Sequence, residues 1–284
     1  MPTEEAPLMF ARDVAIAAER VDTDNWFDDF AAAPPSVSEA LALGTRREGG
    51  LAMVRSHVPF SHFNMVLTLG CPAVADAAAF AAIDRFYAEG GVTKHWVVIN
   101  DHSEPADLEA RLHTRGYGPA GAWDRVILRG ARPELWRAHA QDCESVTAAN
   151  AAEWSAFLLE CYGMPPPIAH WLHALVGRAR WFHALRREGG RPGAPVAMVR
   201  SLYLADSGWA WLGIDAPVPG VMAPCFDDDQ KVTAHLLLEA ARAGAHSFVS
   251  DIELPSPQRT GPAYQRWGEL GFAPAYLRRL FSRG

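Results

Sequence analysis

The sequence predicts an α+β fold that is built twice in one chain. Three observations predict it. The length of 284 residues is about twice that of a common domain of roughly 150 residues. Apolar strand-like runs alternate with segments of helical period in both halves. The order of these segments repeats, and the glycines that close the last helix of each half, Gly116 and Gly271, are 155 residues apart.

The first half contains two strand-like runs with a helix between them. Residues 64–70 and 95–101 are the apolar runs, and residues 74–90 have the helical period with a glycine at the end. Glycine is the usual residue just past a helix because it adopts a left-handed conformation without strain. A short helix that ends near Gly116 and a closing strand complete the half.

The second half repeats this order with additional elements at its start. Its order is βααβββαβαβ, with predicted helices over residues 150–163, 168–179 and 228–244 and predicted strands over residues 180–187, 195–204, 209–214 and 246–251. Repeats of this size exceed a solenoid unit, so they indicate a duplicated domain. We place the boundary within residues 131–141, giving domains 1–135 and 136–284.

Composition excludes several classes of protein. With 49% hydrophobic residues, 10 tryptophans and a net charge of −7, the chain is expected to fold compactly and not to bind nucleic acid, whose phosphates require a basic surface. No apolar run approaches the ~20 residues of a membrane helix, and Met1–Glu5 lacks the basic start of a signal peptide. We therefore expect a cytoplasmic protein without a membrane partner. The four scattered cysteines indicate reduced thiols rather than zinc or disulfides.

Several motifs, together with the order of elements, carry a resemblance to a known family. They are residues 208–214, the stretch from 255–257 through Tyr264 to Gly271-Phe272, residues 275–279 and, in the first half, residues 63–70. The sequence resembles the GNAT superfamily of acyl-CoA-dependent N-acyltransferases, specifically its tandem members.

The resemblance implies a mixed, mostly antiparallel sheet flanked by helices in each domain. It also implies transfer of an acetyl or acyl group from acyl-CoA to the amine of a small molecule. The backbone of Leu212, Gly213 and Ile214 would pair with the pantetheine arm of acetyl-CoA, and the diphosphate would lie at the start of the next helix.

The segment expected to hold that diphosphate departs from the family pattern. Asp227, Asp228 and Asp229 stand where the family usually has glycines, and Lys231 is the positive charge nearby. Carboxylates suit a helix N-terminus, but they repel a diphosphate. We expect Asp227 or Asp228 to be the N-cap of this helix and the phosphate-binding loop to be degenerate. The first half has no glycine-rich loop after Gly70 either.

Acid–base chemistry has three candidate residues. Trp267 stands where family members often have a catalytic tyrosine, so Tyr264, one turn earlier, is the candidate acid, with a tyrosine at the rim as the alternative. Asp251 and Glu253 alternate along a strand and so share one face, where either could act as base or hold a cationic amine. Solvated carboxylates at the strand end are the alternative reading.

Metal chemistry is not expected. His170 and His173 have helical i, i+3 spacing, but no third ligand accompanies them. The tryptophans are expected mainly in the core, with two or three lining an apolar cleft; they are Trp171, Trp181, Trp209, Trp211 and Trp267.

Three hypotheses about function follow. The chain is an active N-acyltransferase for a small molecule, a GNAT-fold enzyme with other chemistry or another ligand, or a non-catalytic pseudoenzyme that binds a ligand or forms a homodimer. Titration with acetyl-CoA separates the first hypothesis from the other two.

Overall fold

The computed structural model describes residues 10–283. The expectation about Met1–Glu5 lies outside these residues. The helices are α1 (Arg12–Ala32), α2 (Pro35–Ala40), α3 (Ala77–Glu89), α4 (Leu108–Thr114), α5 (Pro133–Arg137), α6 (Ala151–Tyr162), α7 (Pro167–Leu175), α8 (Phe226–Arg242) and α9 (Pro262–Glu269). None of the helices between residues 10 and 283 is long and apolar enough to cross a bilayer.

The strands join into a single sheet. They are β1 (Gly44–Glu48), β2 (Leu51–Arg55), β3 (Met65–Val66), β4 (His95–Asn100), β5 (Gly118–Arg129), β6 (Cys143–Ser145), β7 (Trp181–Arg187), β8 (Val196–Leu204), β9 (Trp209–Ala216), β10 (Ser247–Ile252) and β11 (Ala273–Arg283). Their order across the sheet is β1-β2-β3-β4-β11-β5-β10-β9-β8-β7-β6. The order of elements predicted for the second half, βααβββαβαβ, is confirmed.

The two halves exchange their closing strands. Strand β5 ends the first half but pairs antiparallel with β10 of the second. Strand β11 ends the second half but pairs antiparallel with β4 of the first, and the two closing strands pair with each other. The sheet is therefore continuous through the centre of the molecule. The boundary proposed near residue 135 falls within α5.

Helices cover both faces of the sheet. Apolar residues of α1, α2, α6 and α7 form a core on one face that runs across both halves. On the opposite face, α3 and α4 cover the first half, and α5, α8 and α9 cover the second. In α8, for example, Val232, Leu236 and Ala240 recur every four residues and are fully buried.

Two predicted elements have different bounds. The run 64–70 is a strand only at Met65–Val66, although the N–H groups of Leu67 and Leu69 still donate to the carbonyls of Ala52 in β2 and Val98 in β4. The helix predicted over residues 168–179 begins at Pro167, which suits a first helical position, and ends at Leu175, two residues before Gly177 adopts a positive φ.

Candidate functional site

A cavity of about 320 Å³ lies between the sheet and the helical layer formed by α1, α6 and α7. Its floor is where β9 and β10 end, and the start of α9 closes one side. This volume is at the lower end of the range for small-molecule sites. The cavity is therefore large enough to hold a small organic molecule.

Strands β9 and β10 diverge at the cavity. Their parallel pairing covers Trp209–Trp211 and Ser247–Val249, although both strands continue further. Beyond this point the hydroxyl of Ser250 donates to the Leu212 carbonyl across 3.1 Å. The Trp211 ring lies directly over Gly213, where a Cβ would collide with it. Leu212, Gly213 and Ile214 of β9 line the cavity beyond the point where the pairing with β10 ends.

Six of the seven predicted site residues line this cavity: Leu212, Gly213, Ile214, Asp251, Glu253 and Tyr264. The seventh, Lys231, lies on α8 and is not part of the wall. The structure therefore brings the residues proposed for catalysis next to the backbone proposed for the donor, and it separates Lys231 from both.

Asp251 is held between two arginines. One of its carboxylate oxygens lies 3.2 Å from Nε of Arg125, and the other accepts a hydrogen bond of 3.1 Å from Arg278. Burial raises the pKa of Asp251, and the two guanidinium groups oppose that rise. Since both oxygens face these cations, Asp251 is positioned as a structural anchor.

The two arginines also bind α1. Nη2 of Arg125 and of Arg278 each lie 2.8 Å from the Asp22 carboxylate. Arg278 lies 3.1 Å from Glu19. Both arginines come from the exchanged closing strands, so this fully buried network fixes α1 against the centre of the sheet.

Glu253 has no such partner. Its carboxyl makes no ion pair with any lysine, arginine or histidine in the described part of the chain. Burial, followed by the negative charges of Asp215 and Asp251, raises its pKa to about 7, with Arg200 opposing. A carboxyl with a pKa near the working pH is suited to accept and return a proton.

Tyr264 is engaged at the edge of the cavity. Its hydroxyl donates to Asp124 across 3.0 Å and accepts from the backbone N–H of Ser256. Burial and the Asp124 carboxylate raise its pKa to about 12. A hydroxyl with this pKa gives up its proton reluctantly, which makes Tyr264 a weak general acid.

The first turn of α8 carries three carboxylates. The N-cap is Cys225 without a side-chain cap, so the prediction that Asp227 or Asp228 caps the helix is wrong. The helix begins one residue before this run, and the carboxylates of Asp228 and Asp229 bind arginines instead of backbone N–H groups. Arg186 binds Asp228 across 2.6 Å. Fully buried Asp229 accepts from Arg200 across 2.8 Å.

Asp229 is also paired with Arg266. Arg266 lines the cavity. Burial, and then the charge of Arg200, lowers its pKa to about 9. The Asp229 carboxylate therefore holds together two arginines that would otherwise repel each other.

Several residues that line the cavity were not predicted from the sequence. Burial lowers the pKa of His62 to about 4, so its ring, stacked on Trp123 at 5.3 Å between centroids, is neutral. Burial raises the pKa of Asp29 to about 8. Nothing in the sequence singled out these two or Asp215, which lines the cavity although the positive φ of Ile214 and a register shift interrupt the alternation of β9 just before it.

Comparisons with known proteins address the fold. No family profile matches the sequence, and no curated protein matches it. Among solved structures, the chain is similar to a GCN5-related N-acetyltransferase from Kribbella flavida, with 12% identity and a TM-score of 0.59 over 97% of this chain and 96% of the other. The fold is GNAT-like. Its elements are present twice in the chain.

Two further structures share this likeness. A functionally unknown conserved protein from Staphylococcus epidermidis is 6% identical, with a TM-score of 0.53 over 86% of this chain and 94% of the other. A GCN5-related glucosamine N-acetyltransferase region of a fungal multi-domain β-N-acetylglucosaminidase is 12% identical, with a TM-score of 0.51 over 84% of this chain and 31% of that protein.

An acyl-CoA donor has two parts that place different demands on this site. Leu212, Gly213 and Ile214 line the cavity where the pairing of β9 and β10 ends, at the place expected for a pantetheine arm. The first turn of α8 carries Asp227, Asp228 and Asp229, whereas close approach of a diphosphate to the backbone is easiest at glycines. Arg186 and Arg200 neutralise Asp228 and Asp229, so the exposed carboxylate of Asp227 is the one that opposes an anion there.

The corresponding place in the first GNAT-like half is closed. The backbone of Glu104 donates to the Gly70 carbonyl across 2.9 Å and accepts from Ala75 across 2.9 Å. A Cβ added to Gly70 would lie 2.6 Å from the Glu104 carbonyl oxygen. The loop before α4 therefore seals this half.

Metal ligands do not converge in the described residues. No group of three or more His, Cys, Asp or Glu side chains is arranged to hold an ion between residues 10 and 283. His173, one of the two histidines noted in the sequence, instead contacts the Ser155 hydroxyl at 2.7 Å.

Proposed function

We propose that this protein transfers an acyl group from an acyl thioester to the amine of a small molecule, with Glu253 as the proton acceptor. The observation that supports this most is Glu253 itself. Among the described residues it is a carboxyl without a cationic partner, its pKa is raised to about 7, and it lines the same cavity as Leu212, Gly213 and Ile214 of β9.

The proposed step needs one group that moves a proton. The neutral amine attacks the thioester carbonyl carbon, a C–N bond forms and the C–S bond breaks. The proton released by the nitrogen passes to the Glu253 carboxylate and then to the departing sulfur, so that an amide and a thiol are the products. A thiolate with a pKa of about 8.5 takes a proton readily from a carboxyl with a pKa near 7.

The other predicted catalytic residues have supporting parts in this proposal. Asp251 stays bound to Arg125 and Arg278 and keeps the end of β10 in place. Tyr264 keeps its proton because burial, and then the Asp124 carboxylate, raises its pKa. The backbone of β9 from Leu212 to Ile214 is proposed to hold the acyl-pantetheine part of the donor.

Thiol release tests the proposal. The full chain is incubated with acetyl-CoA or S-acetylpantetheine and a panel of primary amines, and free thiol and amide product are measured. We expect amine-dependent thiol release, reduced about 10²–10⁴-fold in Glu253→Gln. The matched control is Glu160→Gln, which removes an exposed carboxyl on α6. Equal rates in wild type and Glu253→Gln, or no amine-dependent thiol release, would exclude the proposal.

A second candidate is ligand binding without acyl transfer. The pairing of Asp229 with Arg200 and Arg266 favours it, because two cations near the start of α8 are then not available to a diphosphate. In that case an amine would bind the cavity, but neither thioester would be consumed.

A further inference from the structure

We propose that the cavity is selective for a hydrophobic organic cation, with a single ammonium group on an apolar body. This names the class of acceptor and rests on the proposed function for its reactivity. Binding itself requires no acyl donor, so a quaternary ammonium that cannot be acylated is bound as well.

The walls are aromatic where α1 meets α7. Trp26, Phe63 and Trp171 all line the cavity. The ring centroids of Trp26 and Phe63 are 5.9 Å apart, and those of Phe63 and Trp171 are 5.5 Å apart. Aromatic faces attract cations through the ring quadrupole and bury apolar bodies at the same time. An organic ammonium uses both properties.

The wall also carries more acidic than basic groups. Five carboxyl-bearing residues and three arginines line the cavity; the carboxyls are Asp22, Asp29, Asp215, Asp251 and Glu253, and the arginines are Arg200, Arg266 and Arg278. Asp29 is mostly protonated at neutral pH because burial raises its pKa to about 8, so the four other carboxyls outnumber the three arginines by one. That remaining negative charge favours a cationic ligand over an anionic one.

Two of the carboxyls lack a countercharge within contact distance. Asp22 and Asp251 bind arginines in the buried network, and Asp215 lies 2.6 Å from Arg200. Asp29 and Glu253 form no ion pair in the described residues, and burial raises the pKa of Asp29 to about 8 and that of Glu253 to about 7. Asp29 is therefore mostly protonated at neutral pH, and a bound ammonium would supply the positive charge that Glu253 lacks.

The same features exclude other amines. A polyamine would bring further ammonium groups against apolar walls, where a charge without a partner is costly to desolvate. A neutral molecule of the same shape would gain the apolar contacts but not the ionic ones. Selectivity should therefore depend on both the charge and the apolar body.

Calorimetric titration of the full chain without acyl donor tests this inference. The probes are phenethylamine, benzyltrimethylammonium, 2-phenylethanol as the uncharged analogue, and spermidine as the polyamine. We expect both monocations to bind at least tenfold more tightly than 2-phenylethanol and spermidine. In Glu253→Gln their affinity should fall about tenfold, while Glu160→Gln leaves it unchanged. Thermal unfolding confirms that each variant is folded.

The outcomes separate the inference from the proposed function. Equal affinity for phenethylamine and 2-phenylethanol, tighter binding of spermidine, or an unchanged affinity in folded Glu253→Gln would overturn the inference. Cation binding with no thiol release would support the inference and exclude acyl transfer. Acylation of hydrophilic amines only would support acyl transfer and overturn the inference. A second folded variant, Trp26→Leu, should weaken the binding of the cations by several-fold.

Discussion

Arg278 in the last strand of the chain donates to Asp251 in β10 across 3.1 Å, and both belong to a buried network that includes Asp22 and Glu19 of α1. Arg125 occupies the matching place in the other closing strand. Strand exchange therefore brings together two arginines from different halves, and they neutralise carboxylates that neither half could bury by itself.

Removal of Arg278 should destabilise the fold strongly. Arg278→Leu leaves Glu19, Asp22 and Asp251 with a single buried cation, and an uncompensated buried charge costs about 3–5 kcal/mol. The control is Arg279→Leu, whose ion pair with Asp101 is about one-third exposed and contributes at most about 1 kcal/mol. Denaturant unfolding measures both. Similar losses in the two variants would mean that the network does not stabilise the protein.

The close approach of Gly70 to Glu104 gives a second prediction. Gly70 and Gly116 have nearly the same φ, 81° and 80°, but only at Gly70 would a Cβ meet backbone, 2.6 Å from the Glu104 oxygen. Gly116→Ala should cost about 1–2 kcal/mol for the left-handed conformation. Gly70→Ala should cost a further ~1–3 kcal/mol because the loop must move. Equal melting temperatures of Gly70→Ala and Gly116→Ala would contradict the close packing of Gly70 against Glu104.

Buried histidines predict a loss of stability in acid. Burial lowers the pKa of His62, His95 and His183 to about 4, whereas the unfolded value is about 6.5. The unfolded chain therefore binds more protons between these values, and the contribution of each histidine, up to about 3 kcal/mol, is lost as the pH falls from 6.5 to 4.

His95 allows this contribution to be isolated. Its ring stacks on Tyr87 at 3.8 Å, and His95→Phe keeps a ring that cannot be protonated. The difference in unfolding free energy between wild type and His95→Phe should shift in favour of the variant as the pH is lowered from 6.5 to 4. A difference that does not change with pH would show that His95 is not held neutral by burial.

Recognition of the acyl donor should not depend on its nucleotide. Because the first turn of α8 carries Asp227, Asp228 and Asp229 instead of glycines that allow close approach to the backbone, the diphosphate should add little to the affinity. We expect dissociation constants for acetyl-CoA and S-acetylpantetheine within about threefold of each other by titration. If acetyl-CoA binds more than tenfold tighter, a difference of about 1.4 kcal/mol, the diphosphate has a site elsewhere on the protein.

The order of elements could be predicted from the sequence because each helix or strand has its own local pattern of apolar residues. The runs 95–101 and 181–187 have strand-like apolar patterns, and Gly163 ends its helix in the left-handed conformation. Alternation also placed Asp251 and Glu253 along one wall. Local patterns of this kind need no knowledge of the neighbouring elements.

The exchange of closing strands could not be predicted in the same way. A period of two shows that β5 and β11 are buried, but it does not show which strand each one pairs with. For the same reason the partners of Asp251 were missed, since Arg125 and Arg278 reach it only through the exchange. Asp29 reaches the cavity wall from α1, and His62 reaches it from the segment before β3. Local sequence patterns do not connect either of these segments with β10.

The pH dependence of catalysis tests the central claim about Glu253 most directly. The measurement is the ratio of kcat/KM between wild type and Glu253→Gln from pH 5 to 9 with one amine, so that titration of the amine itself cancels. Since the base acts when ionised and its pKa is raised to about 7, the ratio should rise with pH and level off above about pH 7 to 8. A ratio that is near one, or that does not change with pH, would contradict the assignment of Glu253 as the proton acceptor.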